Sequence, residues 1–211
     1  MTSNKPEITA IALNPAHPGK RDLFIDGEFY LSVPVEFLDD LYVGAPFGEE
    51  EEAALLLAAK LVPAKEKAYQ YLAYGDLSRK RLYEKLTRFG IEEEVAEAAC
   101  AKMEEQGFIN DERLASSLAE RYAASKKWGP RRILQELYQK GIPMDLAKAA
   151  TEELETDFSE SVEFHLASKY RGRDFSDRKE VQKVIQGLLR LGFDYDTVRS
   201  AIYQRTEDFD E

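Results

Sequence analysis

The side chains that most often carry chemistry in proteins are few in this sequence and far apart. The two histidines, His17 and His165, have no partner at metal-ligand spacing, and Cys100 is the single cysteine. One cysteine excludes an internal disulfide and a cysteine zinc cage. The phosphate-loop, dinucleotide-binding and zinc-protease motifs are also missing from the sequence. We therefore expect a protein that is not an enzyme, with no catalytic residue, no metal site and no cofactor.

Basic side chains are concentrated in two short segments. Residues 79–88 contain five basic residues and one acidic residue, and residues 113–132 contain six basic residues and one acidic residue. Between them, residues 92–112 contain eight acidic residues and one lysine, and the whole chain has a formal charge of −11. This total argues against simple wrapping of nucleic acid, which needs a basic surface. It still allows basic patches that contact a partner.

Some of these basic residues recur at a fixed interval. Arg81, Arg132 and Lys183 are 51 positions apart, which indicates either a shared contact face or a set of solvated charges. Trp128 lies between lysine and arginine pairs in SKKWGPRR, where it either anchors a partner or packs at a helix corner. The residues predicted to bind a partner are Arg79, Lys80, Arg81, Arg121, Lys126, Lys127, Trp128, Arg131, Arg132 and Lys183.

The helices that position these residues end in a repeated phrase. LTRFGI occurs at 86–91, LYQKGI at 137–142 and LLRLGF at 188–193. Glycine just past a helix adopts the left-handed conformation without strain, and the apolar residue after it can pack back on the leucine. Each phrase therefore predicts a Schellman-type helix end. A repeat of this length indicates tandem structural units.

Each unit is predicted to contain three helices. The second helix begins at Ser78, at Gly129-Pro130 or at Ser176, because serine is a good N-cap and proline suits the first turn. The first helix carries the pattern A-x-x-Y, with Tyr71, Tyr122 and Tyr170. These tyrosines could stack on bases, but their register with alanine favours packing between helices. The third tyrosine comes 48 rather than 51 positions after the second, which predicts an insertion between Tyr170 and Val184.

The first third of the chain has a different pattern. EITAIAL alternates as a strand does, and Asp26-Gly27 between two β-prone runs predicts a hairpin with a type I′ turn. Pro63 predicts a boundary. The expected fold is mainly α: three tandem three-helix repeats in an elongated curved array, preceded by a small domain that contains a β-hairpin. The predicted domains are residues 1–62, 63–110, 111–158 and 159–211, the last with an acidic tail.

The N-terminus has no apolar signal-peptide core, and the longest strictly apolar run covers only residues 53–59. A membrane span needs about 20 such residues. We therefore expect a cytoplasmic protein that does not contact a membrane.

Three stretches of the helical part are distinctive: Ser78-Arg79 before the second helix, the junction GFINDERLA at 107–115, and the stretch from Arg121 to Ile142. Through these stretches the sequence resembles the RecX family of bacterial recombination regulators. The resemblance covers residues 64–204, roughly. The family usually has aspartate where this chain has Asn110, which can still act as an N-cap.

The resemblance implies a monomeric, non-enzymatic modulator of the RecA protein. Such a protein lies in the groove of the RecA–single-stranded DNA filament, contacts the DNA weakly, and restrains ATP hydrolysis and strand exchange. The competing hypothesis is a helix-turn-helix-like nucleic-acid-binding protein that acts independently of RecA. A third hypothesis is a helical scaffold for another protein.

Overall fold

The computed structural model describes residues 6–38 and 41–207, which form two compact units. The first unit contains the described residues up to Gly75 together with Leu82–Phe108, and the second contains Asp76–Arg81 together with the residues from Ile109 onward. The elements are β1 (Ile8–Leu13), β2 (Lys20–Ile25), β3 (Glu28–Pro34), α1 (Glu49–Leu72), α2 (Arg79–Arg88), α3 (Glu93–Glu105), α4 (Asp111–Arg121), α5 (Pro130–Gln139), α6 (Met144–Glu152), α7 (Phe158–Ala167), α8 (Arg178–Arg190) and α9 (Tyr195–Glu207). The expected mainly α fold with an N-terminal β element is confirmed.

The three strands form one antiparallel sheet in the order β1-β2-β3. Asp26 and Gly27 have φ of 49° and 88°, as a type I′ turn requires, so the predicted hairpin is confirmed. The sheet contacts α1, where the Tyr30 hydroxyl donates to the Glu52 carboxylate. Burial, together with the hydrogen bond and the negative charge of Glu52, raises the pKa of Tyr30 to about 12.

Helix α1 runs through Pro63 without a break, so the domain boundary predicted at this residue does not coincide with the end of a helix. The ring of Pro63 lies on the exposed side of the helix. The buried side continues past it with Leu61, Ala64 and Ala68, which pack in the first unit. Proline costs a helix one hydrogen bond, but the uninterrupted apolar face outweighs that cost here.

The three repeated phrases form the helix ends that their sequences predict. Gly90, Gly141 and Gly192 have φ of +99°, +84° and +93°. After each glycine, an N–H returns to the leucine that begins the phrase, as from Ile142 to the Leu137 carbonyl at 3.2 Å. The glycine N–H bonds one residue further on, as from Gly141 to the Tyr138 carbonyl at 2.9 Å. This pair of bonds defines the Schellman motif.

The starts of the second helices agree with the prediction in two of three copies. Ser78 precedes α2, and Gly129 with Pro130 opens α5. In the third copy the N-cap is Asp177, not Ser176, because the Asp177 carboxylate accepts the Lys179 N–H at 2.8 Å. The 51-residue register places this start at Val181, whereas α8 begins at Arg178. The predicted insertion therefore includes one additional helical turn.

Each repeat of the second unit has its own core. In the second repeat, Leu137 and Ile142 pack with Ala119 and Tyr122. In the third, Leu188 and Phe193 pack with Leu166 and Tyr170. Residues 208–211, which hold most of the predicted acidic tail, lie outside the described residues.

Candidate partner-binding surface

All ten predicted partner-binding residues lie in the second unit. They occupy the first turn of α2, the end of α4 with the π-helical turn Tyr122–Lys126 that follows, the start of α5, and α8. Residues 79–81 and residues 131–132 lie at opposite ends of α5, because the C-terminal end of α5 contacts residues 78–81. A ten-residue helix is about 15 Å long. The ten residues therefore do not form one continuous patch, and the structure divides them into separate basic clusters.

The first cluster is built into a contact between repeats. The Ser78 hydroxyl is buried and donates to the Lys140 carbonyl at 2.7 Å, while the Arg81 guanidinium donates to the Gln139 carbonyl at 2.5 Å. The Arg79 N–H donates to the Asp111 carboxylate at 2.9 Å. Arg79 and Arg81 are half-buried, whereas Lys80 is exposed. Of this cluster, Lys80 is the side chain most accessible to a partner.

The contact between the second and third repeats has the same form. The Gly129 N–H donates to the Leu191 carbonyl at 2.8 Å, and the Arg131 N–H donates to the Gly192 carbonyl at 3.1 Å. The first turn of α5 therefore receives the C-terminal end of α8. Helix N-termini can bind phosphate through free N–H groups, but here carbonyl groups of the protein occupy those positions. We term residues 78–81 with 139–141, and residues 129–132 with 191–193, the two repeat joints.

The glycines make the repeat joints possible. A Cβ on Gly192 would lie 2.2 Å from the Arg132 nitrogen, and a Cβ on Gly129 would lie 2.4 Å from the Gly192 carbonyl carbon. A Cβ on Gly141 would lie 2.8 Å from the Ser78 hydroxyl. Both repeated glycines thus end their helices and also admit a neighbouring helix, Gly141 through side chains of residues 78–81 and Gly192 through backbone atoms of residues 129–132.

The segment before α5 holds the second cluster. Lys127 adopts a left-handed backbone conformation (φ 51°, ψ 41°) after the π-helical turn. Its carbonyl accepts a hydrogen bond from His165 Nε2 at 2.8 Å, which adds a side-chain contact between the second and third repeats. Arg121, Lys126 and Arg131 are exposed around this fixed segment.

Trp128 packs in this cluster. Its ring centroid lies 5.1 Å from that of Tyr122, and the Arg132 guanidinium lies 5.2 Å from the Trp128 ring. Arg132 also forms an ion pair with Glu136 at 2.5 Å. Trp128 is half-buried against the second core. The helix-corner role therefore accounts for the position of Trp128, and part of the ring remains accessible.

Lys183 is partly neutralised on α8. It pairs with Glu180 at 2.6 Å, and Glu180 also pairs with Arg173 at 2.5 Å. Hydrogen bonds from Lys183 and Arg173 hold the pKa of Glu180 below its usual value. The register residues Arg81, Arg132 and Lys183 therefore all have acceptors within the protein.

The repeated tyrosines pack inside the protein. Tyr122 and Tyr170 are buried, and a Cβ on Gly187 would collide with the Tyr170 hydroxyl at 2.0 Å. Tyr71 is half-buried in the first unit, with Lys67 and Lys85 about 5 Å from its ring. The packing role accounts for these positions, so base stacking by this set is disfavoured.

Sequence reasoning missed two features of this surface. The first is His165, whose Nε2 contact joins residues 38 positions apart and leaves no local signal. The second is the exposed basic group Arg171, Arg178 and Lys179 beside the insertion. Counting charges over residues 169–183 would have found it, since six basic and three acidic residues occur there.

An acidic cleft of about 570 Å³ opens on the second unit. Its lining includes Glu120, Glu153, Glu155, Asp157, Glu160 and the single lysine Lys127. A hydrogen bond from Ser159 holds the pKa of Asp157 below its usual value, so this carboxylate stays charged. A cleft of this charge repels phosphate groups.

Within the described residues, no group of three or more histidine, cysteine, aspartate or glutamate side chains could hold a metal ion. The same part of the chain contains no helix that is both long and apolar enough to span a membrane. Cys100 is buried in α3.

Comparison with known proteins identifies the repeats. The models of the first, second and third three-helix domains of RecX match residues 64–103, 110–150 and 157–202. The regulatory protein RecX of Clostridioides difficile (strain 630) is 30% identical over 208 residues, which cover 97% of each chain. That of Vibrio campbellii is 32% identical over 72% of this chain and 97% of its own.

Two solved structures are similar over most of their lengths. A crystal structure of regulatory protein RecX has a TM-score of 0.68 and 25% identity, covering 92% of this chain and 99% of its own. The crystal structure of RecX from Lactobacillus salivarius has a TM-score of 0.61 and 29% identity, covering 70% of this chain and 97% of its own.

Proposed function

Since this chain belongs to the RecX family of regulatory proteins, we propose that it binds the RecA–single-stranded DNA filament and inhibits its activity. The regulated activities are ATP hydrolysis and strand exchange in recombination and DNA repair. The protein acts in the cytoplasm as a monomer, without enzymatic activity of its own. It lies in the filament groove, with weak contacts to single-stranded DNA.

The observation that carries this proposal is the regular joining of the repeats. The second helices α5 and α8 both begin with a basic first turn and both end in a Schellman turn. The repeat joints set the interval between them. A filament also presents identical sites at regular intervals. Several weak contacts on one chain raise the overall affinity because each later contact forms within the complex.

Within the predicted set, we assign the direct contacts to the exposed side chains Lys80, Arg121, Lys126 and Arg131. Arg79, Arg81 and Arg132 are half-buried, and we assign them no direct contact. The Arg81 side chain bonds across the first repeat joint, and that of Arg132 pairs with Glu136 within α5. Trp128 and Lys127 shape the surface between these contacts, and Lys183 contributes through its exposed ammonium group.

The test of the proposed function is the ATPase activity of RecA on single-stranded DNA, titrated with this protein. We expect the activity to fall as the protein approaches stoichiometric amounts. An unchanged activity at stoichiometric excess contradicts the proposal.

The double substitution Lys126→Glu with Arg131→Glu tests the assigned surface. Reversing two exposed charges should weaken inhibition by about tenfold, which corresponds to about 1.4 kcal/mol. Glutamate in the first turn of α5 suits the helix dipole, so unfolding is not expected. The matched control is Lys148→Glu with Arg199→Glu, which makes the same charge change at exposed positions of α6 and α9, outside the basic clusters. Equal losses for both pairs indicate a general charge effect and contradict the assignment.

A nucleic-acid-binding protein that acts without RecA is the alternative. The first turns of α2 and α5 resemble the recognition elements of such proteins only in charge. Their N–H groups bond to protein acceptors, and the tyrosines Tyr122 and Tyr170 are buried. These observations favour the filament regulator.

A further inference from the structure

The C-terminal end of a second helix is a docking element in two of the three repeats. The Gln139 and Lys140 carbonyls at the end of α5 accept hydrogen bonds from the first turn of α2. The Leu191 and Gly192 carbonyls at the end of α8 accept hydrogen bonds from the first turn of α5. In both cases the acceptor end is a Schellman turn, and the donor is the N-terminal turn of another helix.

Both donors begin with a small residue. Ser78 precedes α2 and Gly129 precedes α5, and both lie in the repeat joints. The close approaches at Gly129, Gly141 and Gly192 leave no room for a larger side chain. The docking chemistry is therefore specific: exposed carbonyls and a bare glycine on one side, and a small N-cap with N–H or O–H donors on the other.

The end of α2 has the same form but carries no docked helix within the described part of the chain. Gly90 has φ +99°, and the Ile91 N–H returns to the Leu86 carbonyl at 3.1 Å. Among the described residues, nothing lies within 4 Å of a Cβ built on Gly90. The Phe89 and Gly90 carbonyls also accept no hydrogen bond from the residues that the structure describes. The adjoining Phe89 side chain is 60% exposed.

We infer that the end of α2, residues Arg88–Ile91, docks on the N-terminal turn of a helix in a partner protein. That helix has serine or glycine at its N-cap. The inference rests on the proposed function in taking the partner to be a subunit of the filament. The Lys67 Nζ lies 4.1 Å from the centroid of the Phe89 ring, and the exposed remainder of the ring adds an aromatic anchor beside the carbonyls.

A second copy of this chain does not fit the same end. The first turns of α2 and α5 are already filled in each copy by the repeat joints. The first turn of α8 is extended by residues 178–180, and the Asp177 carboxylate already accepts the Lys179 N–H. Carbonyl groups would meet that negative charge instead of free donors. Helix α1 has a glycine N-cap, Gly48, but its first turn holds four glutamates at residues 49–52, which would likewise repel the carbonyl groups. A different protein is therefore the occupant that the chemistry favours.

The substitution Gly90→Asn tests this docking end. Asparagine tolerates the left-handed conformation better than most residues, and its Cβ meets nothing at this position in the free protein. A docked helix would collide with it, as Arg132 would collide with a Cβ on Gly192. We expect filament affinity to fall about tenfold or more, which corresponds to about 1.4 kcal/mol of binding free energy.

Gly107→Asn is the matched control. Gly107 ends α3 in the same first unit, has φ +76°, and also has nothing within 4 Å of a built Cβ. Its turn has the same hydrogen bonds, from the Phe108 N–H to the Met103 carbonyl and from the Gly107 N–H to the Glu104 carbonyl, both at 2.9 Å. The two variants should therefore lose similar stability, while only Gly90→Asn loses filament affinity.

Affinity is measured by sedimentation with RecA filaments on single-stranded DNA, alongside thermal unfolding of each variant. If Gly90→Asn binds filaments with wild-type affinity, the docking inference is overturned but the proposed function is not. An equal loss of filament affinity in both variants has the same meaning. If the wild-type protein does not bind filaments, the proposed function fails and the inference fails with it. A wild-type dimer that Gly90→Asn dissociates in analytical ultracentrifugation identifies a second copy as the occupant, which also overturns the inference.

Discussion

Asp194 closes the first turn of α9 with both carboxylate oxygens. Oδ1 accepts the Thr197 N–H at 2.8 Å, and Oδ2 accepts the Thr197 hydroxyl at 2.6 Å. These hydrogen bonds, with the side-chain bond the larger cause, hold the pKa of Asp194 below its usual value. Val198 in the next turn is fully buried, so this cap also orders part of the third core.

A folded-state pKa below the unfolded value means that the charged carboxylate stabilises the folded protein. The contribution is complete above the unfolded pKa of about 3.9 and is lost as the pH falls through the folded pKa. We expect Asp194→Ala to lower the free energy of unfolding by about 1 kcal/mol at neutral pH, as loss of an N-cap does. Chemical unfolding at pH 7 and at pH 3 measures this, and the deficit should shrink at the lower pH.

Asp194→Asn separates charge from capping. Asparagine keeps an oxygen for the Thr197 N–H but has no titratable group, so it should retain most stability at neutral pH. Its stability should also depend less on pH than that of the wild type. Ser200→Ala, at an exposed position of α9, is the control for helix propensity. A constant deficit for Asp194→Ala at every pH contradicts the role of the charge.

At the residue scale, the sequence predicts helix caps and turns that depend only on residues close together in the chain. Asn110 caps α4 through the Arg113 N–H at 2.8 Å, as its side chain and position indicate. Asp26-Gly27 forms its turn for the same local reason. His165 and Lys127 meet only because two repeats pack together, so no local pattern could have indicated that pair.

At the scale of elements, the repeat joints depend on glycine at two positions where backbone meets backbone. Gly192→Ala should destabilise the second unit strongly, because its Cβ would lie 2.2 Å from the Arg132 nitrogen and 2.8 Å from the Gly129 carbonyl oxygen. We expect the free energy of unfolding to fall by about 3 kcal/mol or more, from backbone strain of about 1–2 kcal/mol and the opening of the joint. Urea unfolding measures the change.

Gly172→Ala is the control for strain alone. Gly172 has φ +82°, similar to Gly192, but nothing lies within 4 Å of a built Cβ among the residues that the structure describes. Its substitution should cost only the strain of about 1–2 kcal/mol. If both substitutions cost the same, the close approach at the joint does not limit stability.

The element boundaries show where tertiary packing overrides local signals. Proline predicts a break at Pro63, but α1 continues because its buried face does. Serine predicts a cap at Ser176, but this side chain donates to Asp174 at 2.6 Å and leaves the cap to Asp177. In both cases a residue with the right local preference has a competing contact that composition does not reveal.

At the scale of the whole molecule, charge separates the two functional hypotheses. The chain carries −11 overall, and the acidic cleft lies in the same unit as the basic clusters. We expect weak binding to free single-stranded or duplex DNA, because non-specific affinity depends on the release of counterions by basic groups. Fluorescence anisotropy between roughly 50 and 200 mM salt measures it.

Lys126→Glu with Arg131→Glu should reduce the salt slope of this DNA binding by about two, because each of the two side chains would neutralise about one phosphate. The pair Lys148→Glu with Arg199→Glu again provides the matched control. Tight binding to free DNA with a steep salt slope, and no effect on RecA, would instead support the nucleic-acid-binding alternative.

The presence of three tandem helical units could be predicted from the interval of the glycine phrases, and two of the basic clusters from charge counts. The division of labour within those clusters could not be predicted. Arg81 and Arg132 look equivalent to exposed cations in the sequence, yet one bonds to the Gln139 carbonyl and the other to Glu136. The Arg81 contact forms between distant parts of the chain and left no local signal, whereas the Arg132–Glu136 pair has the i,i+4 spacing of a contact within one helix.

The additional turn at the start of α8 also limits where a further repeat can be added to the chain by duplication. A duplicated copy appended after the third repeat would meet residues 178–180 and Asp177 where the other joints have a small N-cap. It would have no place to dock. Both ends of α5 in the second repeat, in contrast, already take part in joints. Longer relatives with this architecture should therefore arise by duplication of an internal copy, with the extended turn kept in the last one.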